Sequence, residues 1–127
     1  MSIKLIVVAL CALALPLATA ADAAKKPKTY ATTVGYQKGP PFYHGKLQSK
    51  KATCLKGRTV TLYGKRPGKK DTAESSGKSD KQGTWQVPLP IQDTSDDTAI
   101  YFKVSTAKHK SYTCKSGRTK DIKIGGN

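Results

Sequence analysis

The sequence predicts an all-β protein: a single β-sandwich of about seven strands with one disulfide, preceded by a signal peptide. Three observations carry that prediction. A six-residue pattern occurs twice, as Cys54-Leu55-Lys56-Gly57-Arg58-Thr59 and as Cys114-Lys115-Ser116-Gly117-Arg118-Thr119. Short segments alternate apolar and polar residues, and none keeps a helical period over three turns. The third cysteine, Cys11, lies in an apolar leader.

Residues 1–20 have the layout of a secretory signal. Lys4 supplies a thin basic start, residues 5–15 an apolar run, and Pro16 a break. Ala18 and Ala20 are small residues at the positions that precede cleavage after Ala20. The run is shorter than the ~20 apolar residues a spanning helix needs. Leu10 stands before Cys11, where a lipoprotein signal wants a small residue. No second hydrophobic stretch follows, so the mature chain is expected to be soluble, monomeric and secreted, extracellular or periplasmic. In an oxidising compartment the two remaining cysteines, Cys54 and Cys114, are expected to pair.

Cleavage leaves about 107 residues, the size of one Ig-like sandwich. Residues 21–29 read as a flexible basic lead and 30–127 as the domain. Residues 30–36 alternate weakly and form a first strand. A turn follows at Lys38-Gly39-Pro40-Pro41. A second strand runs over 42–49, with Phe42 and Leu47 toward the core and Gly45 at a bulge or close backbone approach. The clearest strand is 59–63, where Val60 and Leu62 point one way and Thr59, Thr61 and Tyr63 the other. Residues 64–70 are a basic loop, and 72–77 a polar edge strand. Ser79-Asp80-Lys81-Gln82-Gly83 has turn chemistry. Trp85, Val87 and Leu89 alternate with Gln86, Pro88 and Pro90, which marks an edge or an early end of the ladder. An acidic loop spans 93–97. Ile100, Phe102 and Val104 form the core face of a further strand, with Tyr101 and Lys103 outward. A basic connection over 108–113 leads to Cys114. Ile122 and Ile124 complete the last strand before a Gly-Gly-Asn tail.

Charge is lopsided. Without Lys4 the chain keeps 22 basic residues against 8 acidic ones, about +14. All but Arg58, Arg66 and Arg118 are lysines, hydrated point charges suited to diffuse attraction toward anionic surfaces. The plain alternative is a solubilising coat. If Cys54 bonds Cys114, Lys56, Arg58, Lys115 and Arg118 become neighbours. Four clustered cations repel unless an anion sits among them, so anion binding at these residues is one hypothesis. The competing reading has each glycine making a tight turn and each arginine pointing to solvent.

No catalytic constellation is evident. Glu74 sits alone in a polar segment, and Asp93, Asp96 and Asp97 share one loop, a pattern more typical of solvated acids than of a catalytic or calcium site. His44 and His109 read as surface residues rather than general bases, and cysteines and histidines do not have zinc-ligand spacing. No nucleophile elbow or phosphate loop occurs. No enzyme, cofactor or metal is expected. Trp85 belongs to the core. Tyr36, Tyr43, Tyr63, Tyr101 and Tyr112 lie near lysines, and several are expected outward, where a tyrosine–lysine face could stack bases or sugars.

The ordered motifs carry a resemblance. Phe42-x-x-Gly45-x-Leu47-x-Ser49-x-Lys51-x-x-Cys54-x-x-Gly57-Arg58-x-Val60-x-Leu62-Tyr63 is followed by Ser79-Asp80-x-x-Gly83-x-Trp85-x-Val87. Tyr101-x-x-Val104 and Cys114-Lys115 come next. Over roughly 30–125 the chain resembles small secreted bacterial domains of the carboxypeptidase-regulatory-like, or transthyretin-like, β-sandwich group. The resemblance implies a non-catalytic stability, adhesion or envelope-associated role and transfers no catalytic residue. The expected function is a binding or structural module for anionic envelope or matrix polymers. The alternative is a protein-binding effector or inhibitor acting through its loops.

Overall fold

A computed structural model describes residues 28–39 and 43–124. The expected signal peptide, most of the lead, Phe42 and the tail from 125 onward lie outside them. The described residues form eleven short strands and one 3-10 turn, without an α-helix. The strands are β1 (Lys28–Tyr30), β2 (Thr33–Gln37), β3 (Tyr43–Gln48), β4 (Thr59–Lys65), β5 (Thr72–Lys78) and β6 (Thr84–Val87). They continue as β7 (Ala99–Val104), β8 (Ala107–Lys108), β9 (Tyr112–Cys114), β10 (Gly117–Arg118) and β11 (Ile122–Lys123). β1 therefore begins inside the expected lead.

One sheet has the order β2-β3-β6 and another the order β10-β7-β4-β5, with β11 also paired to β7. A third, small sheet has the order β1-β9-β8. All pairs are antiparallel except β1 with β9. The first two sheets face each other across the core. Val34, Leu47, Trp85 and Val87 come from one, and Val60, Leu62, Ile100, Phe102 and Val104 from the other. Trp85 and Phe102 meet at the centre, ring centroids 4.9 Å apart. Ile122 and Ile124 are partly buried against this cluster. The alternation of side chains along a strand produces this arrangement directly, because every second residue faces the partner sheet.

The excess over seven strands has local causes. The expected first strand divides at Ala31 and Thr32, and its two halves join different sheets. An additional strand, β10, forms ahead of the expected last one; after it the Thr119 hydroxyl accepts from the Phe102 amide while the Thr119 amide donates to the Phe102 carbonyl. The basic connection before Cys114 is itself a small hairpin, β8 with β9.

Two readings are corrected. Leu89 does not continue the core face of Trp85 and Val87: β6 ends at Val87, and Leu89 is 54% exposed. Pro88 has no amide to extend the ladder. Tyr101 faces outward but is buried, because Arg118 covers its ring at 3.6 Å and Tyr63 stacks beside it at 5.2 Å. Gly45 is a close approach: a side-chain carbon there would sit 1.8 Å from the Gly35 carbonyl oxygen.

Candidate functional site

Cys54 ends the 3-10 turn Ala52–Cys54, and Cys114 ends β9. They are joined by a disulfide with Cα atoms 5.5 Å apart, and both are fully buried. The sequence repeat does not become a structural repeat. Gly57 adopts φ +66°, a conformation that favours glycine, and turns the chain into β4. Gly117 lies within β10, where a side-chain carbon would meet the Thr32 carbonyl oxygen at 2.1 Å.

The two arginines diverge accordingly. Arg58 is only 2% exposed. Its Nη1 donates to Thr32 Oγ1 at 2.9 Å and to the Cys54 carbonyl at 2.8 Å. Its Nη2 donates to the carbonyls of Ser105 at 2.6 Å and Lys115 at 3.0 Å. Burial lowers its pKa from the ordinary arginine value. Arg118 instead lies over Tyr101 and is ion-paired with Asp121. The expected cluster of four cations is therefore not formed. Arg58 faces the interior because the disulfide loops present carbonyls that need donors, and a guanidinium supplies several in a fixed fork. Lys56 and Lys115 remain exposed near the disulfide.

The sheet register also gathers most of the acids at one end of the strands. β4 runs away from the disulfide, and β7 returns toward it. Of the seven acids among the described residues, six lie at the far end, where β4 stops and β5, β7 and β11 begin: Asp71, Glu74, Asp93, Asp96, Asp97 and Asp121. Asp80 is the one at the disulfide end, and its carboxylate accepts from the amides of Gln82 and Thr84, both at 2.9 Å. Lys28, Lys50, Lys51, Lys56, Lys108 and Lys115 surround the disulfide on β1, β8 and the connecting turns.

An aromatic cluster stands within this basic end. Tyr30 and Tyr112 meet edge to face at 5.9 Å, and His109 stacks on Tyr112 at 4.5 Å. Lys51 Nζ lies 4.9 Å from the Tyr112 ring centre and 5.7 Å from that of Tyr30. Thr53 shares a hydrogen bond with the Tyr112 hydroxyl. Of the five tyrosines singled out in the sequence, only Tyr112 belongs here. Tyr36 and Tyr43 pack on Phe102 at 5.0 and 5.4 Å. Tyr63 and Tyr101 stack on the outer face of the larger sheet. The Tyr101 hydroxyl donates to Asp71 at 2.7 Å, and burial, then this bond, push its pKa up to about 12. No single tyrosine face results.

At the far end the structure makes a pair that the sequence hid. Glu74 and Asp97 are 8% and 5% exposed, and their carboxyls meet above Gly64. Burial first, then the hydrogen bond to Asp97 and its charge, push the Glu74 pKa up to about 7, with Arg66 opposing. The clue was weak: a glutamate in a polar strand with no pattern to aim it inward. Among the described residues, no group of three or more histidine, cysteine or acidic residues is placed to hold a metal, and no helix is long and apolar enough to cross a membrane.

No protein-family model, curated protein or solved structure matches the chain.

Proposed function

We propose that this protein is a secreted, monomeric, non-enzymatic binding module that holds anionic polymers of a cell envelope or extracellular matrix at its disulfide end. The two facing sheets suit an Ig-like or transthyretin-like sandwich, consistent with the motif order. One observation carries the functional reading: six of the seven described acids lie at the end remote from the disulfide, leaving lysines around the disulfide almost unopposed. Lysine ammonium groups track a flexible polyanion without demanding fixed geometry. Their lack of acidic neighbours around a covalent staple gives that diffuse attraction a rigid platform. The disulfide favours an oxidising compartment.

The test is binding of the oxidised protein to an envelope phosphopolymer, an acidic polysaccharide and single-stranded DNA over a salt series. Selective binding to one polymer near physiological salt supports the reading. Equal binding to all three that vanishes at moderate salt reduces the lysines to a solubilising coat.

A second reading, a protein-binding effector or inhibitor, is favoured by the loop after β6. Leu89 is 54% exposed and Ile91 fully exposed, between and beyond the prolines 88 and 90. Prolines stiffen such a segment and lower the entropy lost on docking. Partner binding that tolerates salt and disappears in Leu89→Ser/Ile91→Ser would select this reading.

A further inference from the structure

The larger sheet carries one register irregularity, and it controls a buried charge. Leu62 pairs with Ser75 and Tyr63 with Ala73, so Glu74 is the extra residue of a bulge. The bulge turns Glu74 inward. On the facing side, Asp97 stands two residues before β7 with its side chain wholly buried. Both carboxyls occupy the space that a side chain on Gly64 would fill: a carbon there would lie 2.2 Å from Glu74 Oε2 and 2.3 Å from Asp97 Oδ2. Neither of these two oxygens has a partner when both groups are written as carboxylates.

The surrounding groups do not supply enough positive charge for two ionised acids. Arg66, after β4, donates from Nε to Asp97 Oδ1 at 2.9 Å and reaches the Asp93 carbonyl at 3.1 Å. Asp93 and Asp96 add negative charge from the same loop. From β3, Tyr43 feels both carboxyls, and burial with the neighbouring Tyr36, Glu74 and Asp97 raises its pKa. One arginine faces two buried acids, an arrangement in which burial and like charge disfavour ionising both.

We propose that the Glu74–Asp97 pair is a proton-operated latch on the loop between β6 and β7, which carries Leu89 and Ile91. With one shared proton, the two unpartnered oxygens form a hydrogen bond that ties the loop to β5. Loss of the proton leaves two buried negative charges facing each other, and the loop loosens. Besides the bonds from Arg66 to Asp97 and to the Asp93 carbonyl, the loop has further backbone ties. Gln92 donates to the Glu74 carbonyl at 3.0 Å, and the Thr98 amide donates to the Lys65 carbonyl at 2.9 Å. Leu89 and Ile91 ride on this segment, so the latch controls how rigidly they are presented. Burial and the contact with Asp97 move Glu74 to about 7, which places the switch near neutrality.

The test is amide hydrogen exchange of the oxidised protein, followed at Asp97 and Thr98 and corrected for intrinsic exchange at each pH. Protection in the wild type is expected to fall about tenfold between about pH 6 and about pH 8. Glu74→Gln retains a donor toward Asp97 without a dissociable proton and is expected to show no such fall. A parallel titration of the side-chain carboxyl carbons by NMR keeps the question open to refutation if that variant does not fold. It should find Glu74 changing state near 7. Identical exchange profiles in both proteins, or a Glu74 transition in the ordinary carboxylic range, would overturn the latch. Calcium chloride restoring protection at about pH 8 in the wild type but not in Glu74→Gln would also overturn it, in favour of a cation held by the pair.

Discussion

Arg58 donates to the Lys115 carbonyl at 3.0 Å, across a sequence separation of 57 residues. The same guanidinium holds the Cys54 carbonyl, so one side chain braces the backbone on both sides of the disulfide. Replacing it removes donors from four acceptors at once. Arg58→Ala is expected to cost about 3 kcal/mol or more, since each stranded buried acceptor carries a desolvation penalty of about 1–3 kcal/mol and some will recruit water. Arg58→Lys should recover only part of this, because an ammonium lacks the planar fork. Urea unfolding of the oxidised variants measures both.

The disulfide closes a loop of 60 residues. Cys54→Ala/Cys114→Ala should lower unfolding free energy by on the order of 4 kcal/mol through the larger entropy of the unfolded chain. That is a large fraction of the 5–15 kcal/mol typical of a domain. The variant should show a matching fall in its denaturant midpoint.

The stability–pH profile follows from Glu74. Its pKa is raised on folding from 4.5 to about 7, so between these values the folded state binds more proton than the unfolded state. Stability from this group is fully present below the unfolded value and is lost as pH rises through about 7. The wild type should therefore unfold at progressively lower urea concentration across that window. Glu74→Gln should lack that component of the slope. A wild-type midpoint that rises across the same window would contradict the assignment.

Gly64→Ala places a methyl group between the two carboxyls, 2.2 Å from Glu74 Oε2 before relaxation. The expected cost is about 1–3 kcal/mol, typical of overpacking. The Glu74 transition should also shift toward the ordinary carboxylic range as the pair separates. NMR titration of the variant checks the second effect independently of the first.

Lys56 and Lys115 stand exposed at the basic end, whereas Lys69 and Lys70 lie in the β4–β5 loop near the acids. Lys56→Glu/Lys115→Glu should weaken polyanion binding and reduce the salt slope by about 2, if each lysine neutralises one charge. Lys69→Glu/Lys70→Glu should change binding much less. Equal losses from the two double variants would point to net charge rather than to a site.

Much of the core was legible in the alternation of Val60 with Leu62, of Trp85 with Val87, and of Ile100 with Phe102 and Val104. Inward direction in a strand is set by residue parity, which can be read along a few residues. Leu89 shows the limit of that rule: parity predicts inward, but proline ends the pairing that would keep the strand in register. The repeated Cys-x-x-Gly-Arg-Thr pattern shows another limit. Arg58 and Arg118 have similar neighbours in sequence, yet one is bonded to four acceptors around the disulfide and the other lies on Tyr101. Their environments come from different strands.

Strand content and the cysteine pair depend on composition and short-range order, so they could be read from the chain. The gathering of acids at one end depends on antiparallel register, which brings the end of β4 beside the start of β7. The Glu74–Asp97 pair depends further on a single bulge and on the absence of a side chain at Gly64. Both arise from long-range pairing, which joins charges distant in sequence and leaves no local periodic signature.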